Sequence, residues 1–168
     1  MTRWSRLLVA VGLLAAGPAA AQDAALAPGT RFSAVRVDVG PLQARGLGPF
    51  AERVRADLQV ALNDAFADRV GGRGPALVVR VNGLSLNPYA GSESSRGLGG
   101  GNATNTDYLD GEALVVGPRG EVLLRHPQLS ATPASFGGAW YDPASESRRV
   151  VAITQHYAQW LRRNLGGD

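Results

Sequence analysis

The chain has 168 residues, a formal net charge of +3 and no cysteine, and its 17 basic residues are all arginine. Without cysteine there can be no disulfide, no thiolate metal site, and no lipid anchor carried on a cysteine at the start of a processed chain. Two of the arginines fall in an N-terminal leader. The remainder is close to neutral, at about +1, and lacks the concentrated positive face that nucleic acid binding needs.

The leader is residues 1–21. Arg3 and Arg6 precede an apolar run from Leu7 to Ala16, Gly17-Pro18 breaks it, and Ala19-Ala20-Ala21 supplies small residues for cleavage. This is the layout of a secretory signal, and it predicts a periplasmic or secreted protein beginning at Gln22. No later segment is apolar for the roughly 20 residues of a membrane-spanning helix. The roughly 150 residues that remain suit one domain, expected over 31–168 after a flexible lead at 22–30.

In "RFSAVRVDVG", Ser33, Val35, Val37 and Val39 alternate with Ala34, Arg36 and Asp38, the period of a half-buried strand. "GPLQARGLGP" reads as a loop, with Pro49 placed for the first turn of a helix. Phe50, Val54, Leu58, Leu62 and Phe66 then recur every four residues, with Ala61 and Ala65 widening the stripe. That spacing predicts an amphipathic helix ended by Gly71-Gly72. "PALVVRVNGLSLNP" predicts a second strand with Leu77, Val79 and Val81 on one face, and a bulge at Gly83, after which the apolar positions shift to Leu84 and Leu86.

The glycine-rich stretch at 87–106 looks at first like a phosphate-binding loop. Such loops run from a strand into a helix, whose free N–H groups hold the anion. Here "GLGGG" leads instead into "DYLDGEALVV", a strand, and no Gly-Lys-Ser/Thr follows. The stretch reads as a long connection between strands, and connections of that length are either functional or disordered. In the third strand, residues 107–116, Leu109, Ala113 and Val115 face inward while Asp110 and Glu112 face out. Asp107 is read with them as a surface carboxylate. "GPRG" is a tight turn, and "EVLLRHPQLSA" pairs back as an antiparallel fourth strand.

The loop "TPASFGGAWYD" leads to a last helix starting near Asp142 or Ser145. Its buried stripe is expected to be Val150, Val151, Thr154, Tyr157, Ala158, Leu161 and Leu165, with Gly166-Gly167 ending it. The fold class is therefore α+β, in the order βαβββα, with two helices on one face of a four-stranded, mostly antiparallel sheet.

Little of this carries reaction chemistry. His126, read at a strand end, and His156, on the polar side of the last helix, are isolated and lack acidic residues at metal-ligand spacing. Neither Gly-x-Ser-x-Gly nor Ser-x-x-Lys occurs, and lysine is absent. No catalytic, cofactor-binding or metal-binding residue is expected, and the protein reads as a non-enzyme with no cofactor. The candidate contact residues are the aromatics Phe136, Trp140 and Tyr141, which otherwise fold back as a lid on the core. Arginines of the last helix, Arg162 and Arg163 together with Arg148 and Arg149, are candidates to stand beside them.

The run "DYLDGEALVVGPRGEVLLRHPQLSA", the glycine/aromatic loop and the helix ending "HYAQWLRRNL" resemble small exported bacterial envelope proteins. Similar layouts occur in lipopolysaccharide-transport accessory lipoproteins and in the periplasmic domain of curli secretion channel proteins. The resemblance covers residues 31–165 and rests on strand pattern and turn placement. It implies a non-catalytic part in envelope assembly or transport, with another envelope protein as partner. Most of those proteins carry a lipidated cysteine, which this chain lacks. The alternative is a carrier holding an apolar ligand in a pocket lined by Phe50, Val54 and Tyr157.

Overall fold

A computed structural model describes residues 26–27, 29–87 and 105–166. The predicted signal and nearly all of the glycine-rich stretch lie outside these residues. The elements are β1 (Val35–Asp38), α1 (Gly40–Gln43), α2 (Gly48–Ala65), β2 (Ala76–Ser85), β3 (Thr106–Val116), β4 (Val122–Pro133) and α3 (Ser145–Gly166). Short 3₁₀ turns follow α2 at Ala67–Arg69 and β4 at Ala134–Gly137. The expected α+β layout is present.

The strand order is β1-β2-β3-β4. β1 runs parallel to β2, as a strand–helix–strand crossover through α1 and α2 requires, and β2, β3 and β4 form an antiparallel meander. Alternation sets the inner face: Leu77, Val79 and Val81 of β2 and Leu109, Ala113 and Val115 of β3 are buried under Val54, Leu58 and Leu62 of α2 and Ile153, Tyr157 and Leu161 of α3. The register shifts between Val81 and Gly83, so the predicted bulge is present and Leu84 packs against the core. Gly111 lies on this inner face. A Cβ there would sit 2.8 Å from the Tyr157 hydroxyl and 3.0 Å from the Arg80 carbonyl oxygen, so the close approach of α3 needs glycine.

Several local expectations need correction. "GPLQ" forms the short helix α1; it has no side-chain cap and is too short to show a period. α2 ends at Ala65 instead of continuing to Gly71, because Phe66 turns inward to meet Phe32 edge-to-face, with ring centroids 5.9 Å apart. The chain then tightens into a 3₁₀ turn and bridges back from Val70 to Phe32. In α3, Val151 is exposed while Ile153 and Arg149 are buried. β4 extends to Pro133, so His126 lies within the strand and not at its end. The "GPRG" turn is as predicted, with Gly120 at φ 86° and the Gly120 N–H bonded to the Gly117 carbonyl at 3.0 Å.

Candidate functional site

Two surfaces lie at opposite ends of α3. At its start, Asp142 prepares the helix: its Oδ1 accepts the Ala144 N–H at 2.9 Å and its Oδ2 accepts from Arg148 at 2.7 Å. These two bonds, the backbone one foremost, hold the Asp142 carboxyl below its ordinary pKa. Arg148 also donates to the Gly137 carbonyl, at 2.8 and 2.6 Å, which ties the aromatic loop to the helix. Gly137 itself rests directly on the first turn of α3. A Cβ there would fall 2.6 Å from the Ser145 hydroxyl oxygen and 2.7 Å from Arg149 Cγ.

This fixed loop holds its aromatics outward. Phe136 is 57% exposed, Trp140 68% and Tyr141 75%. They do not fold back as a lid, and Trp140 and Tyr141 meet each other edge-to-face with centroids 5.9 Å apart.

The arginine beside them is Arg148. Arg162 and Arg163 lie near the other end of α3, roughly 20 Å away along the helix axis. Arg162 is held by Asp68 at 2.8 Å and lies over the Phe66 ring, pinning the 3₁₀ turn after α2. Arg163 stacks on Trp160, its guanidinium carbon 3.9 Å from the ring centroid. Phe136, Trp140 and Tyr141 at one end of α3 and Arg162 and Arg163 at the other therefore do not form one patch.

Arg149 was expected on the surface and is instead buried with Asp107, which was read as an outer-face carboxylate. Arg149 Nε donates to Asp107 Oδ2 at 2.7 Å, and its Nη2 donates to Oδ1 and, at 2.7 Å, to the Asn87 carbonyl. The Asn87 N–H returns a bond to Asp107 Oδ1 at 2.8 Å. Parity was the available signal. Asp107 shares its side of β3 with Leu109 and Ala113, and Arg149 begins the four-residue row Ile153, Tyr157, Leu161 and Leu165.

Near the end of α3, His126, His156, Trp160 and Asn164 border a groove of about 480 Å³ along β4, with Pro127, Gln128, Leu129, Ser130 and Ala131 on its strand side. Thirty residues separate the two histidines in sequence, and folding sets both on one groove. Its polar floor is a chain of bonds: Asn164 Nδ2 donates to Gln128 Oε1 at 3.2 Å and lies 3.4 Å from His126 Nε2. Gln128 Nε2 donates to the Tyr157 carbonyl at 2.9 Å. Among the described residues, none that lines the groove is a carboxylate. Among the described residues, no group of three or more His, Cys, Asp or Glu is placed to hold a metal ion, and no helix is long and apolar enough to cross a membrane.

The molecule is thus a two-layer α+β protein whose distinctive features are surface contacts. No protein-family model matches the chain, and no curated protein matches it. Among solved structures, it is similar to a minor lipoprotein from Acinetobacter baumannii, with a TM-score of 0.45 and 14% identity over 81% of this chain and 94% of that one.

Proposed function

We propose that the protein is an exported, non-catalytic component of the bacterial envelope that works by contacting another envelope protein. The observation that carries this reading is the aromatic loop before α3. Three large rings held more than half exposed by Arg148, Asp142 and Gly137 have the composition of an interaction hot spot, and no core contact accounts for their exposure. The N-terminal signal supports export. A non-catalytic role is supported by the histidines, which face a groove whose described lining residues include no acid that would orient a general base. The carrier reading is disfavoured: two of the residues named as its pocket wall, Val54 and Tyr157, are core residues with no exposure, and Phe50 packs against the same core.

The test is photo-crosslinking in intact cells with a reactive residue placed at Tyr141 or Trp140, and at Arg36 on the uncovered face of the sheet as control. The expected result is a discrete protein adduct from Tyr141 and Trp140 but not from Arg36. No adduct from either aromatic position overturns the reading.

A further inference from the structure

The two edges of the sheet are treated differently. β1 has only four residues, and the carbonyl of Val35 is taken by Gln59 of α2 at 3.0 Å. β4 has twelve residues and borders the groove with α3. The Ala134 N–H donates to the Asn105 carbonyl at 2.8 Å, which fixes the phase of the β3–β4 ladder. Antiparallel pairs alternate, so His126, Gln128, Ser130 and Thr132 turn their backbone groups toward β3. Arg125, Pro127, Leu129, Ala131 and Pro133 turn theirs outward. Both prolines therefore sit where no ladder bond is lost, and they remove two outward donors. They bracket a short window in which the N–H groups of Leu129 and Ala131 and the carbonyls around them face away from the sheet.

β4 and all but the first turn of α3 carry no carboxylate of their own; those nearest to β4 are Asp110 and Glu112 of β3, cross-strand from Leu129 and Pro127 on the uncovered face. From Val122 to Tyr141 and from Ser147 to Gly166 the sequence has no Asp or Glu. Arg125 is already paired with Glu112 at 3.0 Å on the uncovered face. On the α3 side, Arg163 lies on Trp160, with His126 and His156 on the groove walls. On the other side of the strand, Leu129 is 66% exposed between Pro127 and Ala131.

We propose that β4 and the adjacent face of α3 bind an extended acidic peptide segment of a partner protein, which adds to the sheet as a fifth strand. The backbone groups of Leu129 and Ala131 hold its main chain. Its side chains alternate: those facing Leu129 are apolar, and those facing the groove are carboxylates set against Arg163 and the Trp160 ring. The prolines limit addition to a short peptide, which keeps the edge from propagating a longer sheet.

The test uses the purified protein and a synthetic ten-residue peptide of alternating aspartate and valine, with binding followed by tryptophan fluorescence and calorimetry. Saturable binding is expected, weakened about tenfold when asparagine replaces aspartate. Ala131→Pro removes one outward donor without touching the β3 ladder and is expected to abolish binding while circular dichroism stays unchanged. If that variant fails to fold, N-methylation of alternate peptide residues removes the peptide's donors instead and is expected to have the same effect. Arg163→Gln is expected to remove the preference for aspartate over asparagine. Equal binding of the two peptides, or no binding at millimolar concentration, overturns the proposal. So does binding that survives both Ala131→Pro and N-methylation. Concentration-dependent dimerisation that Ala131→Pro abolishes would assign the edge to a second copy of the chain and also overturn it.

Discussion

The molecule uses acid–arginine pairs in two settings. Asp107 and Arg149 meet inside, with side chains 0% and 7% exposed, and their hydrogen bonds to each other and to Asn87 tie together α3, the start of β3 and the end of β2. Asp38 with Arg80, and Glu112 with Arg125, form a ladder of alternating charge across the uncovered face of the sheet, both at 3.0 Å. The chemical groups are the same, but the solvent differs. Water screens the outer pairs, whereas each inner charge depends on its partner as its counter-charge, with the Asn87 backbone supplying one further bond to each. The inner pair thus fixes where α3 sits, and the outer pairs mainly keep the uncovered face polar.

The largest effect should come from breaking the inner pair. Arg149→Met leaves the Asp107 carboxylate buried and is expected to lower stability by about 3–5 kcal/mol in chemical denaturation. Asp107→Leu combined with Arg149→Met should recover most of that loss, because a buried ion pair is strongly missed only when one half remains. A loss below about 1 kcal/mol for the single variant would mean that water reaches the carboxylate, and the contrast between inside and outside would collapse.

A smaller effect, of opposite sign, sharpens the same contrast. The Tyr157 hydroxyl is buried with no hydrogen-bond partner among the described residues, and burial foremost, with Asp110 and Glu112 adding to it, pushes its pKa above the ordinary phenol range. Tyr157→Phe removes an unsatisfied polar atom from above Gly111 and is expected to raise stability by about 1 kcal/mol. A decrease in melting temperature would show that the hydroxyl has a partner after all.

The outer ladder should give the smallest change. Arg80→Gln is expected to cost at most about 0.5 kcal/mol, and less in high salt. Asp38 adds a pH signature. The Gly40 N–H at 2.9 Å, then Arg80, hold its carboxyl below its ordinary pKa. A lowered folded-state pKa gives stability that is present above pH about 4 and is lost as pH falls further. Melting temperatures of the wild type and Asp38→Asn measured from pH 6 to pH 2.5 should therefore converge at the acid end. Curves that stay parallel would refute this.

How much of this was legible in the sequence depended on whether one element alone held the signal. Alternation in "ALVVRVNGLS" and the four-residue row from Val54 to Leu62 each report a burial direction locally, and the sheet, the bulge at Gly83 and α2 follow from them. Asp107 and Arg149 were also on inward parities, but residue type outweighed position: a carboxylate and an arginine read as surface until each is seen to satisfy the other. Val151 was drawn into the buried stripe for the converse reason, being aliphatic on an exposed turn. The β4 groove was beyond any local pattern, since His126 and His156 become neighbours only after α3 folds back along the strand. The separation of Arg162 and Arg163 from the aromatic loop is likewise a matter of helix length, which composition does not reveal.

The clamp at Asn87, Asp107 and Arg149 also bears on how this protein can change over evolution. It grips the chain on both sides of residues 88–104, so the geometry of β2 and β3 is set by bonds to α3 and not by the length of what runs between them. Doubling the length of a connection costs only about 0.6 kcal/mol in closure entropy. Insertions, deletions or a grafted epitope in that stretch should therefore leave the sheet register untouched. The fold carries a port where new sequence can be tried without renegotiating the core.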